Sequence, residues 1–287
     1  MTKTLEQMHN QIAGAAQLQS VVRTMKAQAA SSITQYENAV LALEDYTRTI
    51  NIGLGACFRQ TQPMAAQTQA RPRVIAIVFG SDQGLVGKFN DELSHFVQTE
   101  FGAAQGAKTM WAVGARIHGH LIDEGFVIDK NFDVPTSINA ITSLVGDILN
   151  ECVRHDEQSE ASKIIVFYNR SRTETTYEPV SQQLLPLDTA WQSELVTRAW
   201  PRKNVPELIG NTQAPLLSAL IREHLFIALY RACAESLASE NASRLAAMQR
   251  AEKNIDSLLD DLKQKSRTLR QNSIDEELFD VIAGAAF

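Results

Sequence analysis

The stretch of this chain best suited to chemistry is Gly-Ser-Asp-Gln-Gly-Leu-Val-Gly-Lys-Phe-Asn at positions 80–90. It lies between an apolar run and an amphipathic one, the place a phosphate-binding loop takes between strand and helix. In the G-x-x-x-x-G-K-S/T pattern Gly87 and Lys88 fit. Asp82, however, stands where the first glycine belongs, and Phe89 replaces the hydroxyl that would hold magnesium. G-x-G-x-x-G spacing is also absent, so the loop reads as a structural turn and no cofactor is assigned. His118 and His120 would point roughly 200° apart on a helix, and no nearby Cys or carboxylate cluster completes a ligand set, so no metal is assigned. A nucleophile needs a base and an orienting group. Cys57, Cys152 and Cys233 have neither His nor Asp at a recognisable spacing, and no catalytic residue is assigned.

Charge is more informative. The net charge of −6 and pI near 5.6 argue against a broad nucleic-acid surface. Locally, Lys263, Lys265, Arg267 and Arg270 form a basic block, followed by Asp275, Glu276, Glu277 and Asp280. One reading is an ordinary solvated helix face. The other is a basic collar facing acidic loops of a partner, attractive at changing distances and therefore suited to sliding contact.

The elements that carry these residues follow from proline and periodicity. The first proline is Pro63 and the last Pro215, which leaves 62 residues before and 72 after without a strong helix breaker. Steps of seven from Met8 give Ala15, Val22, Ala29, Tyr36, Leu43, Ile50 and Cys57; steps from Leu220 give Ile227, Ala234, Asn241, Met248, Ile255, Leu262 and Leu269. Both are sustained heptad seams. Gln19, Lys26 and Thr47 interrupt companion positions of the first, and Asn241 is the one polar residue of the second, expected to fix register at some cost in stability. The bland alternative is two amphipathic helices folded separately onto the middle of the chain, against which the lack of breakers argues.

Between them the period changes. Residues 74–79, 109–113, 126–128 and 164–168 read as buried strands, with a further strand in 173–187; residues 91–101, 115–124 and 137–155 read as helices. That alternation predicts a parallel sheet with helical crossovers. The expected fold class is therefore α/β: a long antiparallel coiled coil of N- and C-terminal helices, 1–62 and 208–287, plus a central Rossmann-like α/β domain at 63–207. The last helix is the longer, so its uncharged tip at 281–287 is expected to pass beyond its partner and to need a protein to cover it. No run is long and apolar enough to span a bilayer, the N-terminus lacks the order of a signal peptide, and the odd, scattered cysteines suit a reducing compartment, read as cytoplasm.

Three stretches carry a resemblance. Ser-Leu-Ala-Ser-Glu-Asn-Ala-Ser-Arg-Leu-Ala-Ala-Met at 236–248 leads to Leu-Arg-Gln-Asn-Ser-Ile-Asp-Glu-Glu-Leu at 269–278 and Ile-Ala-Gly-Ala-Ala at 282–286. Thr-Met-Lys-Ala-Gln-Ala-Ala-Ser at 24–31 is similar to an M-K-M-V-A-A-x-K segment, and 80–90 is similar to an S-D-R-G-L-C-G-G-L-N loop. Together they resemble, over the whole chain, the gamma subunit of F-type rotary ATP synthases. Departures from that pattern are Ser32 for lysine, Lys88 and Phe89 for Gly-Leu, and Asp275 for threonine.

The resemblance implies a rotor shaft standing in a ring of alpha and beta subunits. Its middle domain would sit on the membrane c-ring beside epsilon, and ATP chemistry would be left to beta. It implies a non-catalytic subunit, peripheral on the cytoplasmic face of the bacterial inner membrane, with no direct membrane insertion and a proton or sodium ion as the coupled species. By the same carry-over, Met25, Lys26, Arg244 and Gln271 are shaft residues contacting beta, joined by the collar Lys263, Lys265, Arg267 and Arg270. Val281, Ile282 and Phe287 are the bearing tip. No inserted Cys-containing loop is present in the middle domain, so the redox switch of chloroplast gamma subunits is not implied.

Overall fold

The computed structural model of the protein describes residues 5–60, 73–102, 108–157, 163–173, 176–200 and 210–284. Two compact units are present. One combines residues 1–30 with 244–287 and the other comprises 31–243. Each is described by itself.

Helix α1 spans Leu5–Gln60, as the proline-free stretch predicts. The sheet and its helices follow: β1 Val74–Phe79, α2 Phe89–Gly102, β2 Lys108–Val113, α3 Ala115–Asp123, β3 Lys130–Phe132, α4 Ile138–Glu157, β4 Lys163–Thr173, β5 Thr176–Leu185 and α5 Thr189–Thr197. Helix α6 spans Gly210–Gly284. It begins within the expected 208–287 segment and ahead of Pro215, so the helix is longer than the breaker-free run of 72 residues that follows that proline. Pro215 is exposed, so water can satisfy the carbonyl that its missing N–H leaves open.

In the larger unit the strand order is β3-β2-β1-β4-β5. Strands β1 to β4 are parallel and β5 returns antiparallel on β4. Alternate side chains of β1 supply two cores. Ile75, Ile77 and Phe79 pack with α4 residues Ile141, Val145 and Ile148 and with α6 residues Leu229, Cys233 and Leu237. Val74, Ala76 and Val78 pack on the other face with Leu93 and Val97 of α2 and Ile117 and Leu121 of α3. Burial of each Val, Leu, Ile or Phe side chain among them contributes about 1.5–3 kcal/mol.

One predicted strand is displaced. Residues 126–128 lie outside the sheet and β3 forms at Lys130–Phe132 instead. The cause is local. Gly125 takes φ 87°, the Phe126 N–H closes the end of α3 on the Leu121 carbonyl, and Asp129 bonds Met110 through both its backbone and its carboxylate. Asp129 thus makes the first contact with β2, and pairing starts only at Lys130. Val127, read as part of a buried strand, is 81% exposed.

Helix α5 forms just beyond the 173–187 strand segment, around Trp191, where apolar patterning marks no element. Asp188 caps it by accepting from the Ala190 N–H at 2.9 Å. Its Leu195 is buried with Ile50, Leu54 and Cys57 of α1 and Ile227 of α6. A Cβ at Gly55 would lie 2.6 Å from the Leu195 carbonyl oxygen, so this approach requires glycine.

In the smaller unit the heptad residues Met8 and Ala15 meet Leu259 and Leu262, with Ile12, Ile255 and Leu269 partly buried around them. Gln19 reaches Asp256 while Lys26 reaches Glu252, so the two helices run antiparallel. The two seam residues that looked like interruptions, Gln19 and Lys26, are thus cross-links. In the larger unit, Thr47 donates to the Leu43 carbonyl of its own helix at 2.7 Å. Asn241 is buried and likewise bonds the Leu237 carbonyl of its own helix at 2.8 Å.

Candidate functional site

Two regions carry the residues that the sequence singled out. The first is the end of the sheet where a small molecule would bind. In open α/β sheets ligands settle beyond the carboxyl ends of the strands, where successive connections diverge. Here that crevice lies beside β1, between its neighbours β2 and β4. Its groups are already engaged. Within the 80–90 loop the Ser81 N–H donates to Asn90 Oδ1 at 3.1 Å, and Asn90 Nδ2 donates to Ser81 Oγ at 2.8 Å. Asp82 accepts from the Ala115 N–H at 2.8 Å and the Val134 N–H at 3.0 Å, so its carboxylate serves the start of α3 and the segment after β3. Phe89 is fully buried, packed edge-on against Tyr177 with centroids 5.5 Å apart, and its carbonyl accepts from Asn169 Nδ2.

Helix α6 closes the same crevice. Ser236 Oγ donates to the Phe79 carbonyl at the end of β1 at 2.9 Å, and Ser243 Oγ donates to the Val86 carbonyl. Glu235 hydrogen-bonds Tyr168 of β4; burial raises both their pKa values above the ordinary range. Tyr177 is pushed up to about 12, first by burial and then by the nearby Glu92 carboxylate. The loop that most resembles a phosphate cradle therefore holds its own backbone and a helix.

Two glycines permit this closeness. A Cβ at Gly80 would lie 2.2 Å from Ile117 Cβ; one at Gly114, where φ is 121°, would lie 2.7 Å from the Ser81 oxygen. Of the histidines, His120 Nδ1 lies 3.2 Å from Asp91 Oδ1. No group of three or more His, Cys, Asp or Glu side chains able to hold a metal gathers among the described residues.

The second region is the surface of the smaller unit. Met25 is half-buried, as are Ser32 in the larger unit and Arg244 in the smaller. Lys26 is paired with Glu252, whose carboxylate also accepts from Arg23 Nε at 3.0 Å. Lys26 and Arg23 together hold the Glu252 carboxyl below its ordinary pKa. Lys263, Lys265, Arg267, Arg270, Gln271 and Asp275 are exposed.

The basic block divides in two. Lys265 bonds Asp261 one turn earlier at 2.7 Å. Lys263, Arg267 and Arg270 stand at helical spacing on one face and make no ion pair among the described residues. Ile274, Leu278 and Val281 extend that stripe at the same spacing and are 54%, 56% and 69% exposed. Ile282, beside it, is 57% exposed. Phe287 lies outside the described residues. Periodicity alone shows the stripe and sets Lys265, two residues from Lys263, off it; the Asp261 partner is what the structure adds.

No helix among the described residues is long and apolar enough to cross a membrane. The family model described as ATP synthase matches residues 4–286. The ATP synthase gamma chain of Haemophilus ducreyi is 27% identical over 301 residues, covering 98% of each chain, and that of Bdellovibrio bacteriovorus is 22% identical with the same coverage. In fold the chain is similar to one in the Euglena gracilis mitochondrial ATP synthase, OSCP/F1/c-ring in rotational state 3. The TM-score is 0.66 at 16% identity, over 98% of this chain and 93% of that one. A chain of the Tetrahymena thermophila mitochondrial ATP synthase central stalk and c-ring matches with a TM-score of 0.58 at 18% identity, over 80% and 99%. With its terminal helices paired antiparallel and the match running through all but the outermost residues, the chain belongs to the ATP synthase gamma-chain family.

Proposed function

We propose that the chain is the central rotor shaft of an F-type ATP synthase, coupling ion flow through a membrane c-ring to ATP synthesis or hydrolysis on beta subunits. The observation that carries this reading is the family match over residues 4–286, which spans both terminal helices and the α/β body together. The shaft turns inside a ring of alpha and beta, and its asymmetric surface sets which catalytic site is open. Coupling is then a population shift imposed by rotation. ATP chemistry belongs to beta, and the chain has no catalytic site of its own.

Three segments divide the work: the helix at 1–62, the α/β domain at 63–207 bearing on epsilon and the c-ring, and the helix at 208–287. Met25, Lys26, Arg244 and Gln271 contact beta along the shaft, with Lys263, Lys265, Arg267 and Arg270 as the collar. Their exposure and charge support the collar in that role. Val281, Ile282 and Phe287 turn in an apolar sleeve, a role that the exposure of Val281 and Ile282 supports. The complex sits at the cytoplasmic face of a bacterial inner membrane, with this chain peripheral. The ion, proton or sodium, is selected in the c-ring.

Purified chain should show no ATPase activity. Mixed with alpha and beta from the same organism, it should assemble into a complex that hydrolyses ATP. Turnover by the chain alone, or failure to join alpha and beta, would overturn the reading.

A further inference from the structure

The crevice of the α/β domain is filled by the chain's own helix, through hydroxyl donors aimed at main-chain carbonyls. Ser236 and Ser243 sit seven residues apart on α6, two turns of one face, with relative exposures of 3% and 7%. Ser236 bonds the last carbonyl of β1, and Ser243 bonds Val86 in the loop that follows it. Both links join residues 157 positions apart, so neither belongs to local helix or turn structure. Between them Ser239 is fully buried on the same helix, yet its hydroxyl has no hydrogen-bond partner among the described residues. Ser239 therefore differs from its two neighbours in making no link across the joint, whereas the Ser243 hydroxyl meets Tyr177 of β5 as well as the Val86 carbonyl.

From this geometry we infer that Ser236 and Ser243 form a joint that resists torque, fixing α6 in the ligand crevice of the α/β domain so that domain and helix turn as one body. Apolar packing alone resists separation but is tolerant of sliding, because dispersion contacts are non-directional. A hydrogen bond to a buried carbonyl has a direction, and breaking it removes the one link that ties that carbonyl to α6; the Val86 carbonyl is then left with the longer bond from the Phe89 N–H of its own loop, at 3.3 Å. Two such bonds set two turns apart oppose both translation and rotation of α6 over the end of β1. Ser236 and Ser243 are thus positioning residues: they touch no substrate and act through the helix they hold.

The joint is testable in the isolated full chain, where no rotor function is assumed. Amide hydrogen exchange is compared for Ser236→Ala, Ser243→Ala, the double variant and Ser239→Ala. The account expects exchange in residues 80–90 and 234–243 to rise at least tenfold in the double variant and to stay within twofold of wild type in Ser239→Ala. Equal behaviour of the double variant and Ser239→Ala overturns the joint. If the double variant fails to fold, each single variant against Ser239→Ala makes the same comparison.

The second arm rests on the rotor reading. In the reconstituted synthase, Ser236→Ala with Ser243→Ala should keep ATP hydrolysis but lower the steady ion gradient the complex can sustain, while Ser239→Ala sustains the full gradient. A full gradient in the double variant overturns the role of the joint in carrying torque. Loss of assembly in wild type would instead count against the rotor reading and leave the exchange result standing.

Discussion

Arg23 of α1 and Glu252 of α6 are joined by an ion pair at 3.0 Å, and the carboxylate that accepts from Arg23 takes Lys26 as well. The two cations lie three residues apart on one helix and meet a single acid on the other. The Glu252 side chain is 17% exposed, against 57% and 36% for Arg23 and Lys26. The pair of helices in the smaller unit is thus held by a charged clasp as well as by the apolar seam through Met8, Ala15, Leu259 and Leu262.

That clasp has a pH signature. Lys26 first, then Arg23, lower the folded pKa of Glu252 below its unfolded value. A lowered carboxyl pKa means that the stabilisation is present above the unfolded value and is lost as pH falls through the folded one. A carbon-13 titration of the Glu252 carboxyl should show a midpoint below the ~4.3 of free glutamate. The stability difference between wild type and Glu252→Gln should shrink as pH drops through that midpoint. A midpoint at or above the free value would contradict the clasp.

Asp82 makes a second prediction. Its two oxygens serve the Ala115 and Val134 N–H groups, and Asp82→Ala leaves both without that acceptor. The expected loss is about 1–3 kcal/mol in urea denaturation. Asp82→Asn keeps one acceptor oxygen and should lose less. Equal stability of wild type and the alanine variant would rule out the clamp.

Gly114 should tolerate no side chain. Its φ of 121° is strained for any L-residue, and an added Cβ meets the Ser81 oxygen at 2.7 Å. Gly114→Ala should lower stability by about 1–3 kcal/mol or more. Gly119, in α3, has nothing within 4 Å of an added Cβ, and Gly119→Ala should be neutral or stabilising. Reversal of that order would show that the backbone near Ser81 yields.

The collar predicts a separation of stability from function. Lys263, Arg267 and Arg270 make no ion pair among the described residues, and Lys265 has only an exposed helical pair, worth roughly 0.3–0.5 kcal/mol. Replacing all four with Ala should leave chain stability within about 1 kcal/mol of wild type. In the assembled enzyme the same change should alter the ratio of ions pumped to ATP hydrolysed. An unchanged ratio would remove the collar from torque transmission. Restoring Lys265 alone should recover less than restoring the stripe residues Lys263, Arg267 and Arg270.

Much of this architecture is legible in the sequence because it is periodic. Every seventh residue from Met8 to Cys57 is buried or half-buried, as the seam requires, and β1, α2, α3 and α4 fall within two residues of where apolar patterning sets them. What patterning misses is decided by single side chains. Asp129 delays β3, Asp188 starts α5, and an exposed Pro215 is accommodated inside α6. Gln19 and Lys26 look like flaws in a hydrophobic seam because periodicity counts polarity and ignores partners; Asp256 and Glu252 stand more than 220 residues away. The same blindness hides the Ser236 and Ser243 links, since nothing local marks a serine that will bond a carbonyl of another element.

The central claim, that this chain is a rotor, is tested most directly by watching it turn. With alpha and beta anchored to a surface and a bead attached through an introduced cysteine on the α/β domain, addition of ATP should drive continuous rotation in one direction, stopping when ATP is removed. Hydrolysis by the same assembled complex with a stationary bead, in molecules where the chain is shown to be bound, would contradict the account.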